Sequence, residues 1–185
     1  MAEVPPVCEF GWKAIDAELT GTDGQRHGIL EQAGNNGLVV AFICNHCPYV
    51  KAVIDRVVRV SRDLRDQGIG FVVINSNDAK NYPEDSFENM TSFAEKHDFP
   101  FLYLHDEDQS VARKWGAACT PDFFGFNAEN ELQYRGRLDA AKLEPAMDNT
   151  RRDLYEAMVQ VARTGVGPRD QTPSIGCSIK WKDAA

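Results

Sequence analysis

Leu38-Val39-Val40-Ala41-Phe42-Ile43-Cys44-Asn45-His46-Cys47-Pro48 holds the change of period on which the fold reading turns. Residues 38–43 are an unbroken apolar run rich in β-branched side chains, which predicts a strand buried on both faces. After Pro48 the apolar residues Val50, Val53, Ile54, Val57, Val60 and Leu64 recur at steps of three and four, with charged residues between them. That spacing predicts an amphipathic helix, closed near Gly68. Pro48 suits the first helical position, which places Cys47 at the N-cap. Free amides and the positive end of the helix dipole then face its sulfur, and such a thiolate forms below the free value of about 8.5. Cys44, at the strand end, lacks that help. Cys47 is therefore the expected nucleophile and Cys44 the thiol that resolves a mixed disulfide. His46, between them, is placed to shift the thiolate equilibrium or shuttle a proton.

Two blander readings compete. Cys-x-x-Cys is also half of a zinc site, but Cys119 and Cys177 are far apart and have no Cys or His at zinc-knuckle spacing. Two inert buried thiols are the other alternative. The redox reading leads because a strand's C-terminal end meeting a helix N-terminus is where open α/β sheets collect active sites. No metal and no cofactor is expected.

Outward from the dithiol, residues 1–12 read as an irregular lead-in, and 16–19 with 25–29 as a small hairpin around Thr20-Gly21-Thr22-Asp23-Gly24. Residues 69–74 predict a second buried strand, 75–83 a polar loop, 84–97 a helix, 101–104 a third strand and 108–115 a short helix. Residues 123–126 and 132–135 predict a second hairpin, and 143–163 carry a last helical pattern before the tail. Asp78, Glu84 and Asp85 read as loop and helix-start carboxylates, and Asp106 to Asp108 as a solvated turn. Alternation followed by a hairpin implies one α/β domain over residues 1–185, with a mixed central sheet flanked by helices.

The chain has 185 residues, 43 % apolar and 26 % charged, with a net charge of −8. An acidic chain has no broad electrostatic reason to bind nucleic acid or an anionic membrane. There is no apolar run of membrane-spanning length. The first ten residues lack the marks of a secretory signal, so a cytoplasmic location is expected. Five cysteines, an odd count, do not look like a disulfide scaffold.

Residues 42–51 around Cys44 and Cys47, 74–78 with 82–87, 115–124 and 176–181 resemble the peroxiredoxin-like (redoxin) branch of the thioredoxin superfamily. The resemblance implies a thioredoxin fold. Although a loop proline is ordinarily trans, it implies a cis Pro121 facing the dithiol, with Thr120 before it. It also sets Cys47 where peroxiredoxins carry their peroxidatic cysteine. Cys119 would then lie near Cys47, as a further resolving thiol or a small buried residue. In that family a threonine three residues before the peroxidatic cysteine orients the peroxide; here Cys44 takes its place and Val40 that of the preceding proline.

Three functions follow in order. The first is a thiol-disulfide oxidoreductase cycling Cys44 and Cys47. The second is an antioxidant peroxidase with Cys47 peroxidatic, and the third a non-catalytic thioredoxin-fold binding module. The expected partners are a disulfide or hydroperoxide substrate and a thiol reductant such as a thioredoxin or a small thiol. Exposed sheet edges and the tail are where a homodimer would form.

Overall fold

The computed structural model of the chain describes residues 2–183. In chain order its elements are β1 (Ala2–Glu3), β2 (Glu18–Gly21), β3 (Arg26–Gly28), β4 (Gly37–Phe42), α1 (Pro48–Arg65) and β5 (Ile69–Asn75). They continue with α2 (Phe87–Lys96), β6 (Leu102–His105), α3 (Ser110–Trp115), β7 (Cys119–Thr120) and β8 (Asp122–Phe126). Last come β9 (Leu132–Gly136), α4 (Asp153–Thr164) and β10 (Gly176–Ser178). The main sheet runs β3-β2-β6-β5-β4-β8-β9. The β4–β5 and β5–β6 pairs are parallel and the rest antiparallel, so the mixed sheet expected from the alternation is present.

All six residues of β4 are buried, because both faces of the sheet are covered. Val39, Ala41 and Ile43 meet the apolar stripe of α1 together with Met90 of α2 and Leu154 and Met158 of α4. Leu38, Val40 and Phe42 face the other way, toward Val111, Ala112 and Trp115 of α3. Every α1 position on the predicted stripe is buried. Each such aliphatic side chain contributes about 1.5–3 kcal/mol relative to exposure, which is why this one helix ties the site to the sheet.

Three expectations are corrected. The lead-in is not wholly irregular: β1 pairs with β10, which pairs with β7, in a second small sheet. The last helix starts at Asp153, not near Leu143. Pro145 lies inside the proposed span and removes a helical donor, and Leu143 and Met147 are exposed rather than buried. Asp106 is not solvated. It is fully buried and accepts from the Val111 and Ala112 amides at the start of α3 and from the Ser76 hydroxyl.

Candidate active site

The strand-to-helix junction packs Cys44 to Cys47 against three other segments: the loop after β5, the Thr120-Pro121 turn, and β10. Cys47 is the N-cap of α1 with Pro48 at N1, as the spacing required. The Thr120–Pro121 peptide bond is cis, as the resemblance implied. Cys44 Sγ lies 3.2 Å from Thr120 Oγ1, and Cys47 Sγ lies 3.2 Å from the Thr120 carbonyl oxygen, to which it donates when protonated. Thr120 therefore touches both sulfurs of the dithiol. Both sulfur-bearing residues are 0 % exposed.

The two thiols are electrostatically unlike. The Cys47 thiol is held far below the ordinary thiol value, chiefly by the Cys44 thiol, against the cost of burial. The Cys177 thiol and the amides of Val50 and Cys177 act in the same sense. The helix N-terminus thus helps through Val50, but a neighbouring thiol is the leading cause, and no capping hydrogen bond forms. Cys44 shifts the opposite way, well up, first through that same interaction with Cys47 and then through burial and the charge of Asp85. The two shifts are opposite in sign, so the interaction between the thiols favours the charge on Cys47 over Cys44.

Asn45 and His46 are held as firmly as the sulfurs. The Asn45 side chain accepts from Tyr103 Oη at 2.8 Å and donates to the Glu84 carbonyl at 3.0 Å. Asp85, read from sequence as a helix-start carboxylate, is fully buried and is the centre of the network. Its Oδ1 accepts from the Asn45 and His46 amides at 2.7 and 3.3 Å. Its Oδ2 accepts from His46 Nδ1 at 2.6 Å and Asn77 Nδ2 at 2.8 Å. The imidazole is stacked on Tyr82 with ring centroids 5.5 Å apart. The carboxylate fixes one ring nitrogen and leaves Nε2 for proton exchange. Asp85 and Asn77 fall within the stretches that carried the family resemblance, but as single residues they had no periodic or motif signal marking them as buried.

Cys44, His46 and Asp85 place one ligand atom each within 4.8 Å of one another, the spacing of a metal site. Each Asp85 oxygen already accepts two hydrogen bonds. A metal ion would have to displace donors from a filled carboxylate, so the arrangement fits a hydrogen-bonded histidine better than a ligand set.

Of the remaining predicted residues, Pro48 and Pro121 border the pair, and Cys119 is next to Thr120. The Cys119 side chain is buried and directs its thiol to the Pro121 carbonyl oxygen at 3.5 Å, while burial pushes its pKa far up. The additional thiol whose interaction with Cys47 lowers the latter's pKa is Cys177, on β10. Cys8 lies on the other side of the sheet, against the second core cluster. An apolar groove lined by Tyr49, Val53, Pro121, Leu138, Leu143 and Ile175 runs up to the cis proline.

The sequence matches the Redoxin family over residues 9–150. Among solved structures, an uncharacterized conserved protein from Geobacillus kaustophilus is 42 % identical, with 100 % of this chain and 98 % of that chain covered and a TM-score of 0.93. A hypothetical protein from Sinorhizobium meliloti is 36 % identical, with 98 % and 99 % covered and a TM-score of 0.91. Peroxidoxin BcpB from Mycobacterium tuberculosis shares the fold at 14 % identity, covering 84 % of this chain and 97 % of that one with a TM-score of 0.62. No protein of curated function matches in sequence. The fold is thioredoxin-like, and the family match supports a thiol redox function.

Proposed function

This chain belongs to the Redoxin family, and on that premise we propose that it is a thiol-disulfide oxidoreductase whose working pair is Cys44 and Cys47. The observation that carries the reading is the placement of the two thiols: Cys47 caps the N-terminus of α1, both sulfurs lie against Thr120, and the pKa of Cys47 is lowered while that of Cys44 is raised. A thiolate is the nucleophile in disulfide exchange. Cys47 attacks a substrate disulfide, one substrate sulfur leaves as a thiol, and a mixed disulfide forms on Cys47. Cys44 then attacks Cys47, the second substrate sulfur leaves, and Cys44–Cys47 forms. The His46–Asp85 pair supplies a nearby proton carrier for the departing sulfur. Thr120 is the positioning residue for both sulfurs. The apolar groove beside Pro121 is where a substrate chain would lie. A thiol reductant, a thioredoxin or a small thiol, returns the pair to the dithiol.

The test is a single-turnover reaction of the reduced protein with glutathione disulfide and, separately, with hydrogen peroxide. A Cys44–Cys47 bond formed with the disulfide, lost in Cys47→Ser and stalled as a mixed disulfide in Cys44→Ser, is the expected result. Reaction with peroxide alone would replace this reading with a peroxidase. Reaction with neither would leave a binding module.

A further inference from the structure

Access is the unresolved chemistry of this site. An external thiol that reduces a disulfide must reach one of its sulfurs along the S–S axis. Cys44 and Cys47 are both 0 % exposed, so a substrate or a reductant reaches Cys47 only when the cover over it opens. Cys177 is the partly exposed cysteine beside them. It packs against the same core cluster as Cys44 and Cys47, and its strand partner Thr120 is the residue that touches both of their sulfurs, so the three cysteines meet around Thr120.

The tail that carries Cys177 is built into the site. Its register sets Cys177 opposite Thr120 on one side and Ala2 on the other. Gly176 permits the approach: a Cβ there would lie 2.1 Å from the Thr120 carbonyl oxygen. Beyond it, Ile179 is buried, and the Lys180 amide donates to Asn77 Oδ1 at 2.9 Å. The Asp78 amide donates back to the Lys180 carbonyl oxygen at 2.8 Å. Asn77 is the residue that also donates to Asp85, so the tail and the dithiol share one network.

We propose that Cys177 is a third redox thiol, through which reductant recharges the buried pair. It rests on the Cys44–Cys47 pair proposed above. Cys177 attacks Cys47 Sγ of the disulfide; the Cys44–Cys47 bond breaks, Cys47–Cys177 forms, and the proton of Cys177 ends on Cys44. No electrons enter in this step. An external thiolate then attacks the accessible Cys177 Sγ and expels Cys47, forming a mixed disulfide on Cys177. A second reductant thiol attacks the external sulfur, releases Cys177 as a thiol and leaves as the oxidised reductant. In the external attack on Cys177 the leaving sulfur is Cys47, and the thiol of lowest pKa leaves fastest. In the reduced protein, burial and then Cys47 hold the Cys177 thiol up at about 11.

Two measurements test this. Reduced Cys44→Ser is treated with one equivalent of diamide, alkylated and mapped by mass spectrometry, and an intramolecular Cys47–Cys177 bond is expected. Oxidised wild type and oxidised Cys177→Ala are then reduced with dithiothreitol under quenched alkylation, and the variant should be slower by about tenfold or more. Formation of Cys44–Cys47 in Cys177→Ala shows that the variant is folded. If that bond forms but reduces at the wild-type rate, or if Cys44→Ser yields no Cys47–Cys177 bond, the role of Cys177 is overturned and the dithiol reading stands. If wild type itself forms no Cys44–Cys47 bond, the dithiol reading fails and this inference fails with it.

Discussion

Cys47 owes its lowered pKa to its neighbours, and the neighbours can be removed one at a time. The Cys44 thiol is the largest cause of the lowered pKa, and the Cys177 thiol acts with it. Titration of thiolate absorbance in the reduced protein should therefore show a midpoint well below the free value of about 8.5. Cys44→Ala should move that midpoint up strongly, and Cys177→Ala by less. An unmoved midpoint in Cys44→Ala would transfer the credit to the helix N-terminus, where the sequence alone had put it. The same residue-scale view explains the two positions between the cysteines. Asn45 is an anchor held by Tyr103 and Glu84, and His46 is oriented by Asp85.

Among the elements, β10 does more than close an edge. It covers the dithiol, presents Cys177 and fastens the cis-proline turn to the loop after β5. Its contact with β7 depends on Gly176, since any side chain would collide with the Thr120 carbonyl. Gly176→Val should push β10 off the turn, at a cost of about 1–3 kcal/mol from overpacking. It should also open Cys47 to iodoacetamide. Faster alkylation of Cys47 with the main sheet intact by circular dichroism is the expected outcome; an unchanged rate would mean that β10 is not what shields the sulfur. On the opposite side of the turn, Arg135 bonds to Asp122 and to the Gly116 carbonyl, so the segment around Pro121 is held from both directions.

For the whole molecule, the thiol pair links protonation to stability. A folded pKa below the unfolded one means that stability from Cys47 is present above the ordinary thiol range and is lost as pH falls through the folded value. Cys44, shifted up, acts in the other sense: its share is present below the ordinary range and is lost as pH rises through its raised value. The unfolding free energy of the reduced protein, measured in urea with excess phosphine, should thus exceed that of reduced Cys47→Ala by a margin that shrinks from pH 8 toward pH 4. A constant margin across that range would mean that Cys47 is not charged in the native state. Among the described residues no helix is long and apolar enough to cross a membrane.

The amino-acid sequence by itself determined the elements that have a period: the buried run of β4, the stripe of α1 and the hairpin of β8 and β9. It also placed the dithiol at their junction, because alternation and helical spacing are local and survive without knowledge of contacts. Where no period existed, it could not decide. Pro145 broke a helix that spaced apolar residues suggested, and β1 became a strand only because β10 was there to pair with. Asp85 and Asp106 look like any surface carboxylates until the loops fold over them and supply buried amides. Cys177 is 130 residues from Cys47 in the chain, and nothing local brings two such thiols together. That meeting depends on a tail crossing the cis-proline turn, and long-range register of this kind exists only in the folded molecule.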